Sequence, residues 1–150
     1  MTIIERITED MKSAMKEKNQ LRLNAVRAIK SEITKEATSG KSAKELTEAD
    51  ILKVIQRMVK QRTDSINQYK EAGRQDLVDE ESNQLEYIKT YLPKQLSEAE
   101  VTDIIKKIIT ETGATSIKDM GKVMKQANSE LAGKADGKMI SDIVKKSLNA

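Results

Sequence analysis

At 150 residues, with 37% apolar residues, no Phe, no Trp and three Tyr, the chain is long enough to bury a core, but a thin one of Ile, Leu, Val, Met and Ala. Such a core suits narrow helix-on-helix seams and argues against a sandwich or barrel. The 27 Lys plus Arg nearly balance 24 Asp plus Glu, so a net charge of +3 does not by itself point to nucleic acid, and the absence of both His and Cys removes disulfides, Ser-His and Cys-His nucleophiles and the usual zinc and di-iron ligand sets.

Glu5, Arg6, Glu9 and Asp10 interrupt the first apolar residues, which excludes a signal-peptide core, and nowhere do roughly 18 apolar residues run together. The expectation is a cytoplasmic protein with no membrane span. Ile4, Ile7, Met11 and Ala14 share one face of a first helix that starts near Thr2 or Ile3 and fades by Asn19. Asn19 is a fitting N-cap for a second helix carrying Leu23, Val26, Ile29, Ile33 and Ala37, which stops at the polar loop Thr38-Ser39-Gly40-Lys41-Ser42.

Thr47-Glu48-Ala49-Asp50 resembles a capping box, with Asp50 in place of Glu or Gln, and opens the longest helix. Ile51, Ile55, Met58, Ile66 and Tyr69 keep one face to about Ala72, where Gly73 terminates it. A fourth helix runs from about Arg74 through Leu77, Leu85 and Ile88 to Leu92, and the short turn makes the pair an antiparallel hairpin. Pro93 forbids continuation and pushes Leu92 out of the helical region, so the junction between two units is placed at 93–97. This divides the chain into an N-terminal helical unit, 1–93, and a C-terminal unit, 97–150.

Ser97-Glu98-Ala99-Glu100 is a full capping box ahead of Val101, Ile104, Ile105, Ile108 and Ile109, with Gly113 as the stop. Met120, Val123, Met124, Ala127 and Leu131 form the next helix, closed by Gly133, and Asp136 caps a last one carrying Ile140, Ile143, Val144 and Leu148. No alternating run with hairpin turns appears, so the class is all-α: four helices, then a three-helix tail. Most of the seven Met sit at helix-core spacing and read as gap-filling core residues.

Three constellations carry possible chemistry. Asp76, Asp79, Glu80 and Glu81 gather at the start of the fourth helix, where two could share a face and hold Mg²⁺ or act as an acid/base pair, although acids in a first turn also complement the helix dipole. Lys53, Arg57, Lys60 and Asp64 form a solvated face on the third helix, but a 100° step puts Arg62 inside the apolar stripe, where it needs a partner: Glu80 or Glu81 of the facing helix, or a ligand. In the tail, Lys134 and Lys138 flank the exposed N–H groups after Asp136, which suits an anion, and which equally describes a capped turn with solvated lysines. No phosphate-cradling glycine loop is present, and no cofactor is expected.

Asp119-Met120-Gly121-Lys122-Val123-Met124 with Gly133-Lys134-Ala135-Asp136-Gly137, preceded by Tyr91-Leu92-Pro93 and Ala72-Gly73-Arg74-x-Asp76-Leu77, resembles the YqeY family over essentially the whole chain. The C-terminal part is similar to the tail of GatB, a subunit of the glutamine-dependent amidotransferase that converts misacylated Glu-tRNA or Asp-tRNA to the amide form. The resemblance implies a GatB-tail-like domain over 97–150 and tRNA as partner, with Gly121, Lys122, Lys125, Gly133, Lys134 and Lys138 as the tRNA-binding surface. GatB's catalytic cradle domain has no counterpart here. The expectation is therefore a non-catalytic, tRNA-directed binding module that assists tRNA amidation beside amidotransferase or aminoacyl-tRNA synthesis proteins. A component of a carbon–nitrogen ligase with glutamine as amido-N-donor, and a protein–protein adaptor using the Ile-rich fifth helix, are the alternatives.

Overall fold

The structure, a computed structural model, describes residues 1–40 and 45–149, so Lys41 and Ser42 of the expected loop lie outside the described residues. Among those residues there are seven α-helices and one short 3₁₀ turn, with no strand: α1 (Ile3–Lys16), α2 (Gln20–Thr38), α3 (Glu48–Glu71), α4 (Gln75–Lys89), α5 (Glu98–Thr112), α6 (Met120–Glu130) and α7 (Gly137–Asn149). The chain divides into two compact units, Met1–Leu92 and Pro93–Ala150.

The helix starts follow from side-chain oxygens that satisfy free N–H groups. Thr2, Thr47 and Ser97 each accept from the N–H three residues on, while Glu5, Asp50 and Glu100 reach back to complete capping boxes. Asn19 Oδ1 accepts from the Arg22 N–H at 3.1 Å and opens α2. Gly73 and Gly113 take φ of +70°, the left-handed conformation in which a Cβ is costly, and so end α3 and α5 sharply.

In the first unit α3 packs along α4, α1 against α2, and α2 against both α3 and α4. Ile7, Val26, Ile29, Ile51, Ile55, Met58 and Ile88 fill the main core, and a smaller cluster of Ile66, Val78 and Leu85 closes the far end of the α3–α4 hairpin. Ile4 departs from expectation: it is 48% exposed, and Ile3 is buried in its place. The seam of α1 runs through Ile3, Ile7 and Ala14, spacings of four and seven, and packing against α2 selects that phase.

The fourth helix also ends earlier than Pro93 alone would require. It stops at Lys89, and the Thr90, Tyr91 and Leu92 N–H groups bond three residues back, to Tyr87, Ile88 and Lys89. This tightened turn sets buried Tyr91 against α1, where its hydroxyl donates to the Asp10 carboxylate. In the second unit α5, α6 and α7 all touch one another around Val101, Ile105, Ile108, Val123, Ala127, Leu131, Ile140 and Val144. Five of the seven methionines lie on these cores, whereas Met1 and Met15 are exposed.

Candidate functional site

The residues singled out in the tail fall on two stretches of the second unit. Gly121, Lys122 and Lys125 occupy the first half of α6, and Gly133, Lys134 and Lys138 surround the turn into α7. With eleven residues, α6 spans roughly 16 Å at ~1.5 Å per residue, with Lys122 and Lys125 in its first half and Lys134 and Lys138 beyond its end.

Their surroundings differ one by one. Lys122 Nζ donates to the Thr112 carbonyl at 3.2 Å, capping the C-terminal end of α5 and complementing its dipole, so this lysine has structural work. Lys125, Lys134 and Lys138 are exposed and form no side-chain hydrogen bond or ion pair among the described residues. The backbone around Lys134 is firmly tied: its carbonyl accepts from the Leu96 N–H at 2.9 Å, and the Gly133 carbonyl accepts from Gln95 Nε2 at 2.6 Å. Gly133 is buried with φ of +73°, a conformation that favours glycine. Gly121 is helical, and a Cβ there would meet nothing within 4 Å. Its glycine is therefore required neither by the backbone nor by packing.

Asp119, the first residue of the tail motif, is engaged in local structure. Its Oδ2 accepts from the Thr115 and Ser116 N–H groups at 2.9 and 3.4 Å, and these bonds hold its carboxyl below the usual carboxylate range. The Ser116-x-x-Asp119 spacing is a capping signature legible in the sequence, and it accounts for the 3₁₀ turn (Ile117–Asp119) ahead of α6.

Elsewhere three of the four acids of the α4 cluster have separate partners. Asp76 takes a two-pronged bond from Arg74 at 3.1 and 3.0 Å, Asp79 accepts from Gln75 at 2.8 Å, and Glu81 receives Arg62 Nη1 at 3.0 Å. No group of three or more acids that could hold a metal ion occurs among the described residues. Arg62 thus pairs with Glu81, not Glu80, and the pair is partly buried, with 20% and 24% of the two side chains exposed. Lys53, Arg57 and Lys60 are exposed, Arg57 lying 3.5 Å from Glu36 of α2.

A polar network that carries no sequence signal ties α1, α2 and the end of α4. Arg22 bonds Asp10 at 3.1 Å and Glu17 at 3.2 Å, Tyr91 donates to Asp10, and the Arg6 guanidinium sits 4.7 Å from the centre of the Tyr91 ring while donating to the Thr90 carbonyl. Burial, then the adjoining Asp10 carboxylate, push the Tyr91 phenol well above its ordinary value.

Comparison with known proteins adds identity to this geometry. The family model described as Yqey-like protein matches residues 4–148. "Altered inheritance of mitochondria protein 41, mitochondrial" of Pyrenophora tritici-repentis is 30% identical over 154 residues, covering 99% of this chain and 82% of that protein. The protein of the same name from Clavispora lusitaniae is 32% identical over 126 residues, 82% of this chain and 72% of its own length. These names place the relatives in mitochondria and overturn the expectation of a cytoplasmic protein. That expectation rested on the lack of a signal-peptide core and of Cys, and neither feature separates cytosol from mitochondrion: organelle transit segments are amphipathic and Arg-rich, not apolar runs. Among the described residues no helix is long and apolar enough to cross a membrane.

Proposed function

This chain belongs to the YqeY family, and from that premise we propose that its second unit is a non-catalytic module that holds folded tRNA by the phosphate backbone and so assists tRNA amidation. The observation that carries this reading is that Lys125, Lys134 and Lys138, on α6 and around the turn into α7, are exposed and form no side-chain bond among the described residues. Residues 116–150 contain seven Lys against four acids, although the whole chain is nearly balanced. Several uncommitted lysines suit a polyanion better than one phosphate, because several phosphates can be neutralised at once. All three tyrosines lie in the first unit, so the second has no aromatic platform for stacking bases. Backbone and shape contact with a folded RNA is what remains.

Gly121 fits the same reading, since an α6 start without a Cβ lets a phosphate approach the helix N-terminus closely. The ligase alternative finds little support in the α4 acids, of which Asp76, Asp79 and Glu81 are each taken by a side-chain partner, and with neither His nor Cys the chain has no imidazole or thiol for glutamine chemistry.

Binding to tRNA should fall steeply with salt, with a log–log slope of roughly 0.7–0.9 per neutralised phosphate. The triple change Lys125→Ala, Lys134→Ala and Lys138→Ala should lower that slope by about two to three units and leave the circular dichroism spectrum unchanged. Lys122 is left in place because it caps α5. If the folded triple variant binds tRNA like the wild type at physiological salt, the surface is wrong. If neither protein binds, the adaptor reading takes its place.

A further inference from the structure

A cleft of about 380 Å³ opens where α2, α3 and α4 meet in the first unit, at the small end of the range for ligand sites. Its polar lining is Ser31 and Glu32 from α2, Gln61, Arg62 and Ser65 from α3, and Glu81 from α4, over an apolar floor that includes buried Met58. The side chains of Ser31, Gln61 and Ser65 form no hydrogen bond among the described residues. Ser31 and Gln61 are exposed and Ser65 is half-buried, and all three line the one recess.

Arg62 is also only partly used. A guanidinium offers five donors in a rigid fork, and a carboxylate placed solely to neutralise it commonly takes two of them. Glu81 takes one, through Nη1 at 3.0 Å, while Nε is buried without a partner. A buried, unpartnered donor is costly and calls for an explanation. Held at one corner, the guanidinium can pivot about the Glu81 bond and turn its Nε–Nη2 edge, the edge suited to a two-oxygen acceptor, toward the cleft.

The charge of the lining decides what that acceptor belongs to. Glu32 and Glu81 flank the one Arg, which disfavours a phosphate or other multivalent anion. Glu32 is bonded at 3.1 Å to Lys35, whose side chain is 71% exposed, so an incoming ammonium displaces a weak surface pair. We propose that this cleft binds a small zwitterion of α-amino-acid type, its carboxylate on the free edge of Arg62 and its ammonium against Glu32 and the Ser31 hydroxyl. The site lies in the first unit and is independent of the lysines of the second.

The test is an amide chemical-shift titration of the full chain with L-serine and L-alanine, alongside acetate, methylammonium and inorganic phosphate. Saturable shifts are expected at Ser31, Glu32, Gln61, Arg62 and Ser65, with acetate and methylammonium binding at least about tenfold more weakly than the amino acids. Arg62→Met and Glu32→Gln should each weaken amino-acid binding about tenfold or more, and leave the salt slope of tRNA binding unchanged. If Arg62→Met fails to fold, Glu32→Gln and Ser31→Ala, each expected to weaken amino-acid binding, decide the matter. No saturable shift at these amides, acetate or phosphate binding as well as the amino acids, or wild-type binding by folded variants overturns the proposal.

Discussion

The two units spend their charges differently. In the first, ion pairs and charged hydrogen bonds run between helices: Arg22 with Asp10, Arg57 with Glu36, Arg62 with Glu81, Tyr91 with Asp10. In the second, the ion pair found among the described residues is Lys107 with Glu111, 3.9 Å apart on one exposed helix face. Its helices are joined by an apolar core, by backbone carbonyls that accept from Gln95, Leu96 and Lys122, and by one exposed bond from Gln126 to the Glu111 carboxylate. A unit that commits only Lys122 among the lysines of the tail motif to its own packing leaves Lys125, Lys134 and Lys138 available to a partner. Charge that is locked into packing is not.

The strongest test of this contrast is in the core of the second unit. Ile105→Ala removes a fully buried side chain and should cost about 2–5 kcal/mol, with early loss of amide protection over residues 98–149 and retention over residues 3–40. Equal loss of protection in both would show that the units do not stand apart energetically.

In the first unit, Glu81→Ala strands Arg62 and should destabilise by about 1–3 kcal/mol, less than a fully buried pair because both side chains keep some solvent contact. The double change Arg62→Leu with Glu81→Leu should be nearly neutral, since it strands neither charge and an apolar side chain suits the Ile55, Met58 and Ile66 stripe. A double-mutant cycle in urea without coupling between the two positions would show that the pair is ornamental.

Tyr91 makes the contrast dependent on pH. Its phenol is held above its ordinary value of about 10, so its contribution is complete below that pH. As the pH rises further the unfolded chain ionises first, and the contribution is lost as the pH passes the folded value. The first unit should weaken in alkali, the second, which has no tyrosine, should not respond through this route, and Tyr91→Phe should cost about 1 kcal/mol at neutral pH and flatten the alkaline slope. Thermal melts from neutral to alkaline pH measure both.

The smallest effects distinguish two glycines of the tail motif. Gly133→Ala forces a Cβ into a left-handed residue and should cost about 1–2 kcal/mol. Gly121→Ala adds a methyl to open space on a helix and should stabilise by roughly 0.5–1 kcal/mol. Loss of tRNA affinity in stable Gly121→Ala would mark that position as a contact; unchanged affinity would make it incidental.

Much of the architecture is local chemistry and was legible from the sequence. Thr47, Asn19 and Ser97 announce helix starts because a side-chain oxygen three residues ahead of a free N–H needs no distant partner, and Gly73 and Gly113 end helices because only a residue without a Cβ takes φ of +70° freely. The apolar stripes made the all-α class unavoidable, and the tail motif pointed to the family. Contacts distant in sequence were decided by the tertiary structure alone. Nothing near Asp10 announces Tyr91, eighty-one residues on. The periodicity of α1 admits Ile4 as readily as Ile3 until packing against α2 selects the phase. The wheel placed Arg62 among apolar neighbours and named two acids that could face it, but the choice of Glu81, the unpartnered Nε and the cleft beside it exist only once three helices meet. Likewise the sequence presents Lys122, Lys125, Lys134 and Lys138 as equals, and it is the Thr112 carbonyl, ten residues before Lys122, that separates the one with structural work from the three left to solvent.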